Sequence, residues 1–308
     1  MSAAAVLFFG VVALSMAGLI GPPMALACGI GLGLARMNPF EKQSAKWAKL
    51  LLQGSVVALG FGMNFGEVLR VGRSGFLYTA VSIAAVMAAG VLLGRWMKVP
   101  GKAGFLITAG TAICGGSAIA AIAPITKPSE EELAMSLGTV FTLNSVALFL
   151  FPAVGLALHL TQSQFGLWAA LAIHDTSSVV GATAKFGAQA LAIGTIVKLT
   201  RALWIIPVAL AAAFANRSSA RAQVPWFIVL FCAAAAANTE FTGAAVLFAG
   251  LSKLGHNGLA VTLFLIGTGI SVRTVRQAGV RVMAQGVALW ALIGAGSLAA
   301  IELGWIGL

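Results

Sequence analysis

The sequence predicts an all-α polytopic membrane protein with no soluble domain, and three observations carry that reading. Of the 308 residues, 60% are hydrophobic and 9% charged, against about a quarter charged in a typical soluble domain. Mean hydropathy is +1.00, which leaves too little polar surface to face water and excludes a water-soluble enzyme, a disordered chain and a fibrous repeat. Breaks at Gly, Pro and charge clusters divide the chain into eleven apolar segments. At roughly 20 residues per span they predict about eleven transmembrane helices, so residues 1–308 read as one integral membrane domain.

Segment 1, residues 3–20, has no Lys or Arg before it, so it lacks the charged start of a secretory signal and reads as a membrane helix. Ala25-Leu-Ala-Cys28 has the form of a lipoprotein cleavage site but lacks the same basic start. Segment 2 (22–35) is short, and its Gly29, Gly31 and Gly33 suit tight helix packing. Segments 3 (46–65) and 4 (75–95) follow, with Asn64 and basic residues at their ends.

Segment 5 (103–125) carries Gly110-Thr111-Ala-Ile113-Cys114-Gly115-Gly116-Ser117 at its middle. Each half is about ten residues, or about 15 Å of helix, half a bilayer. A break there predicts that Ser117 opens a second half-helix whose positive end faces the bilayer centre and can hold an anion. The alternative is that Gly115 and Gly116 only permit close packing.

Segment 6 (133–156) contains Asn144 and ends at Phe149-Leu-Phe-Pro152. Segment 7 (165–184) holds His174-Asp175-Thr176-Ser177-Ser178 about ten residues into an apolar stretch. An ionisable group at the membrane centre costs about 2.5–3.5 kcal/mol, so it is functional by default. His174 with Asp175 can take up and release a proton, and the hydroxyls of residues 176–178 can donate to an oxyanion. A self-satisfied polar pair between helices is the bland alternative. In segment 8 (188–214), Lys198 and Arg201 share one helix face. Their charges call for Asp175, a bound anion or both, unless they snorkel to an interface. Segments 9 (225–250), 10 (257–272) and 11 (282–305) complete the chain, with Asn238 and Glu240 in segment 9. His159 and His256 read as solvated loop residues, and Trp96 and Trp226 as interfacial rings. Cys28, Cys114 and Cys232 show no metal-ligand spacing.

With the N-terminus inside and every segment crossing, twelve Lys and Arg fall inside: 36, 42, 46, 49, 95, 98, 102, 217, 221, 273, 276 and 281. Five fall outside: Arg70, Arg73, Lys127, Lys185 and Lys253. That is the positive-inside direction, so topology accounts for the net charge of +11 and nucleic acid is not an expected partner. If segments 5 and 7 are re-entrant hairpins, only Lys127 changes sides, and charge does not separate the two topologies.

Two internal matches point to a duplicated, inverted architecture. Gly60–Gly72 aligns with Gly267–Gly279, and Ala112–Ser117 with Ala172–Ser177, each of the latter pair followed by a similar helix. Gly110–Ser117, Phe149–Pro152, Ile173-His174-Asp175 with Val179–Ala182, Lys198–Arg201, Pro225-Trp226-Phe227 and Arg276–Gly279 occur in that order. Together they resemble the YeiH-type family of bacterial inner-membrane proteins, described as sulfate exporters, from about residue 30 onward. The resemblance implies a multi-spanning carrier similar in plan to broken-helix sodium/proton antiporters and bile-acid transporters, with segments 2–6 and 7–11 as inverted halves. That plan pairs segment 5 with segment 10, whereas the second internal match pairs it with segment 7. Where the family has Glu after the histidine and Gln three residues beyond, this chain has Asp175 and Ser178.

The function expected is a secondary transporter of a small anion (sulfate, a related oxyanion or a sulfonate) in the bacterial inner membrane, with a cytoplasmic N-terminus. The anion would lie on Thr111, Ile113, Cys114, Gly115, Gly116, Ser117, Thr176, Ser177 and Ser178, in the field of Lys198 and Arg201, with His174 and Asp175 coupling a proton. Export of a dianion is favoured by about 4.6 kcal/mol at 100 mV, so it needs no coupling ion. Other readings are an intramembrane hydrolase using Ser117 or Cys114 with His174 and Asp175, and an anion channel. No nucleotide-binding motif occurs and no cofactor is expected; the partners are the anion, the lipid bilayer and, as an open option, further copies of the chain.

Overall fold

The computed structural model describes residues 3–35, 37–216, 226–269 and 279–307, and every regular element among them is helical. In chain order these are α1 (Ala3–Met16), α2 (Pro22–Leu34), α3 (Glu41–Gly60), α4 (Phe65–Trp96), α5 (Gly101–Ala112), α6 (Gly116–Thr126) and α7 (Glu130–Ala157). They continue with α8 (Gln162–Ala172), α9 (Thr176–Phe186), α10 (Ala188–Leu203), α11 (Ile205–Ala215), α12 (Trp226–Glu240), α13 (Ala245–Thr268) and α14 (Val280–Glu302). Four stretches are long and apolar enough to cross a membrane: α4, α7, α10 running on into α11, and α14. Helices α12 and α13, bent by 99° between them, reach that length and apolarity only when taken together as one broken span.

The chain divides into two units, residues 1–70 with 226–272, and 71–225 with 273–308. In the first, α13 packs on α2 and α3. A Cβ on Gly267 would lie 2.7 Å from the Leu26 carbonyl oxygen and 2.8 Å from the Ile30 nitrogen, so α2 and α13 meet backbone to backbone, as small residues permit. Gly29 makes the α2 side of that contact, while Gly31 faces open space. The ring of Phe8 stands edge-on to Phe264 at 5.1 Å and to Phe40 at 5.2 Å.

The boundary expected between segments 9 and 10 falls elsewhere. Residues 251–256, expected as a loop, are the middle of α13, and the bend comes at Phe241 to Ala244 instead. Gly255 and Gly258 here serve packing against Ser55 and Ala58 of α3 rather than a turn. His256 is exposed on that helix. Asn238 donates to the Met63 carbonyl at 3.2 Å, Thr239 Oγ1 accepts from Phe65 N–H at 2.8 Å, and Asn64 Oδ1 accepts from Glu67 N–H at 3.2 Å. These polar groups fasten helix ends. In the match of Gly60–Gly72 with Gly267–Gly279, residues 270–278 lie outside the described residues, as do Arg36, Arg217, Arg221, Arg273, Arg276 and Pro225.

In the second unit neither segment 5 nor segment 7 is a straight rod. A continuous helix would hold Lys102 and Lys127 about 38 Å apart, yet Lys102 Nζ donates to the Lys127 carbonyl at 2.7 Å. Segment 5 is thus a hairpin of α5 and α6. Lys127 closes α6 in the left-handed conformation, φ 49°, its N–H on the Ala123 carbonyl. Segment 7 folds back likewise. Phe165 near the start of α8 stacks on Phe186 at the end of α9, ring centres 3.8 Å apart. Gln162 Oε1 accepts from Gln189 N–H at 3.0 Å. Reciprocal Ser129–Glu132 and Thr161–Gln164 caps start α7 and α8, as that residue pattern favours.

The two hairpins use opposite ends of α7. Ser136, early in α7, donates to the Ala103 carbonyl at the base of the first. Gly155, late in α7, lies against Phe165 and Phe186 at the base of the second. Helix α14 is held by two buried polar ties: Gln285 Nε2 donates to the Gly90 carbonyl at 2.9 Å, and Trp168 Nε1 to the Gly294 carbonyl at 2.9 Å.

Candidate functional site

The tips of the hairpins are Ile113-Cys114-Gly115 and Ile173-His174-Asp175, the three-residue gaps between α5 and α6 and between α8 and α9. The half-helices before them end at Ala112 and Ala172, and those after them begin at Gly116 and Thr176, in the register of the match between Ala112–Ser117 and Ala172–Ser177. The α6 start is one residue earlier than the expected Ser117. Gly115 has φ 66° and ψ −127°, a conformation that costs any residue with a Cβ. A Cβ there would also sit 3.1 Å from Val140 Cγ1 and 3.5 Å from Asp175 N. The tips therefore touch each other beside the middle of α7, with no side chain between them at Gly115.

Breaking a helix leaves carbonyls at one end and N–H groups at the other without intrahelical partners. Lys198 and Arg201, both fully buried, satisfy the carbonyl ends. Arg201 Nε donates to the Ala112 carbonyl at 2.7 Å, Nη2 to that of Thr111 at 3.1 Å, and Nη1 to that of Leu171. Lys198 Nζ donates to the Ile173 carbonyl at 2.6 Å and reaches that of Ala170 at 3.4 Å. Arg201 thus bridges both tips while Lys198 serves the second. Cations at C-terminal helix ends also offset the negative pole of the macrodipole.

The N-terminal ends differ. Asp175 caps α9: its Oδ2 accepts from Ser178 N–H at 3.2 Å and from the Ser177 hydroxyl. Ser178 Oγ approaches the same oxygen at 3.5 Å. The hydroxyls of Ser177 and Ser178 therefore face the carboxylate. Helix α6 has no side-chain cap. Ser117 in its first turn is exposed, and Gly116, Asp175 and Thr176 are half-buried. Ile113 and Cys114 are buried in the apolar core of the unit.

Buried polar atoms gather around the same contact. Asn144 Oδ1 accepts from Asp175 N–H at 3.3 Å, which leaves the amide Nδ2 as a donor with no partner among the described residues. Thr111 Oγ1 and both ring nitrogens of His174 are buried without partners too. Native interiors rarely leave such groups unmatched, and each calls for a ligand, water or ion. No hydrogen bond among the described residues joins His174 to Asp175, Cys114 or Ser117. Asn144 was visible in the sequence only as one polar residue in an apolar helix; its place at the α9 start was not.

Comparison with known proteins agrees with the membrane character of the chain. The family described as "Conserved hypothetical protein 698" matches residues 2–286. A UPF0324 membrane protein of Geobacter sulfurreducens is 49% identical over 286 residues, 93% of this chain and 92% of that protein. UPF0324 membrane proteins of Bacteroides thetaiotaomicron and Porphyromonas gingivalis are 45% and 46% identical, covering 92% of this chain in each case and 86% and 87% of theirs. No solved structure matches significantly. Long apolar helices, near-complete coverage and identities of this size place the chain in one family: it belongs to the UPF0324 membrane proteins.

Proposed function

We propose that the protein is a secondary transporter that carries a small anion across the bacterial inner membrane by alternating access. The observation that carries this reading is the meeting of two hairpin tips at the middle of α7, with Thr111 Oγ1, Asn144 Nδ2 and the ring nitrogens of His174 buried there without partners among the described residues. Discontinuous helices whose ends meet at mid-membrane are a recurrent way to build a carrier's binding site. Non-helical backbone at that depth is tolerable only inside protein or beside a watery cavity.

The residues take distinct parts. The uncapped N–H groups of Gly116 and Ser117, the Ser117 hydroxyl, Thr176 and the Asn144 amide hold the anion. Ser177 and Ser178 orient Asp175, and Lys198 and Arg201 set the positive field from the carbonyl side of the tips. His174 exchanges the coupling proton. The hairpins enter from opposite faces, an inverted repeat of hairpin plus helix, with the N-terminus cytoplasmic and Lys127 on the cytoplasmic side. Oxyanions of the sulfate and sulfonate type fit this donor-rich junction, in keeping with the resemblance to YeiH-type sulfate exporters.

The test is thermal unfolding of detergent-purified protein against sulfate, thiosulfate, sulfite, bicarbonate, carboxylates and sulfonates, followed by flux of the stabilising ion into proteoliposomes. A ligand at a hundred times its Kd adds about 2.7 kcal/mol. A selective shift with saturable flux is expected. No shift with any anion would sink the proposal.

A further inference from the structure

The donors at the α6 start have an apolar neighbour that bears on which anion they take; this reading rests on the anion site proposed above. Leu137, Val140, Phe141 and Asn144 recur at i, i+3, i+4 and i+7, one face of α7, and that face meets the tips. Val140 abuts Gly115, and Asn144 accepts from Asp175 N–H. Phe141 reaches α6: a Cβ on Gly116 would lie 3.2 Å from its Cε1, 3.3 Å from its Cζ and 3.7 Å from Leu137 Cδ2. The ring is therefore held by one edge against the backbone that carries the uncapped N–H groups, yet it is 48% exposed. Ser117 is exposed next to Gly116, and Ala120 and Pro124 continue the same exposed side of α6. No charged residue occurs from Ser117 to Thr126 or from Leu133 to Asn144. The surface leading away from the donors, along the packed pair of α6 and α7, is thus uncharged and largely apolar.

We infer that the carried anion is amphiphilic: an organic sulfonate or carboxylate whose apolar or aromatic tail lies on Phe141 while the N–H groups of Gly116 and Ser117 hold its head. Small-molecule sites pair an apolar wall with a few polar groups that fix orientation, and a half-exposed ring gains from having its free part covered. Sulfate has no apolar side. Seated on the same N–H groups, it would lose water against the ring with no hydrogen bond in return. Phe141 is thus a specificity-determining residue, and the class of sulfate and sulfonates narrows to organic anions.

Matched pairs decide it. Purified wild-type protein is titrated at pH 7 with benzenesulfonate against methanesulfonate and benzoate against acetate, at constant ionic strength in chloride, with thermal unfolding as readout. The aromatic member of each pair should half-saturate at a concentration lower by about tenfold, a difference of about 1.4 kcal/mol. In Phe141→Ala that advantage should disappear, which separates the ring from a general partition of aromatic ions into detergent. Pairs that bind the wild type equally, or an aromatic advantage that survives Phe141→Ala, would overturn the inference and leave the anion site standing. If no anion stabilises the wild type, the site reading itself falls. Should Phe141→Ala not fold, Phe141→Leu keeps most of the bulk without the ring and should lose most of the advantage.

Discussion

Lys198 and Arg201 stand one turn apart on α10 and divide the carbonyl ends of the tips between them. Lys198 takes Ile173 and Ala170, while Arg201 takes Thr111, Ala112 and Leu171. One helix face thereby clasps two hairpins that come from opposite ends of α7. The donors so engaged point at backbone, which separates the work of these cations from direct contact with a substrate.

Arg201→Ala strips both tips of their shared donor and should cost about 3–5 kcal/mol, the range for breaking a buried charged interaction. Lys198→Ala touches only the second tip and should cost less. Thermal unfolding without any anion checks both. A Lys198→Ala protein of wild-type stability would place that side chain on the ligand instead.

Gly115→Ala should abolish transport and lower stability by about 1–3 kcal/mol, since a strained backbone is added to a tight contact with Val140. Gly31→Ala is the control. It lies inside α2 facing open space, and by helix propensity it should be neutral or stabilising by up to about 1 kcal/mol. Flux and unfolding of the two variants make the comparison.

Asn144→Asp places a second carboxylate beside Asp175. It should remove anion-dependent stabilisation altogether, while Asn144→Ala should weaken it by about tenfold, the loss of one hydrogen bond to an ion. Ligand-dependent unfolding shifts read the difference.

In a background without Cys28, Cys114 and Cys232, Ser117→Cys should react readily with a soluble maleimide, because Ser117 is exposed, and a transported anion should slow it. Cys114 restored alone, 2% exposed, should resist the reagent until the protein unfolds. Fast labelling of Cys114 would argue for a reactive thiol and for the hydrolase reading.

Single cysteines at Lys102 and Lys127 should label from the cytoplasmic face, and those at His159 and Lys185 from the other. Opposite sides for residues 102 and 127 would contradict the hairpin, whose base is closed by the Lys102–Lys127 bond.

The break in segment 5 was legible in the sequence, because Gly110–Ser117 interrupts an apolar run with residues that a plain membrane helix does not need, whereas His174–Ser178 marked segment 7 by its polarity and not as a break. Whether those segments cross or turn back was not. A hairpin and a rod share the same composition, and only Lys127 changes sides between them. The role of Lys198 and Arg201 was equally hidden, since the carbonyls they serve are backbone atoms 25 to 90 residues away. Residues 251–256 looked like a loop for a related reason: Gly255 fits against another helix, and composition alone does not tell contact from turn. The pairing of segment 5 with segment 10, implied by the resemblance, stands apart from the contact observed, which joins segments 5 and 7.

Helix α7 is 28 residues long, about 42 Å, and the tips meet it at Val140 and Asn144, about 15 Å from one end and about 20 Å from the other. A membrane potential applied along that helix drops over the same length. A single charge at the junction would have crossed about half of it, so loading and release would each exchange about 1.2 kcal/mol with a 100 mV field. Neither step would dominate the voltage dependence, and reversing the potential should reverse the current with little rectification.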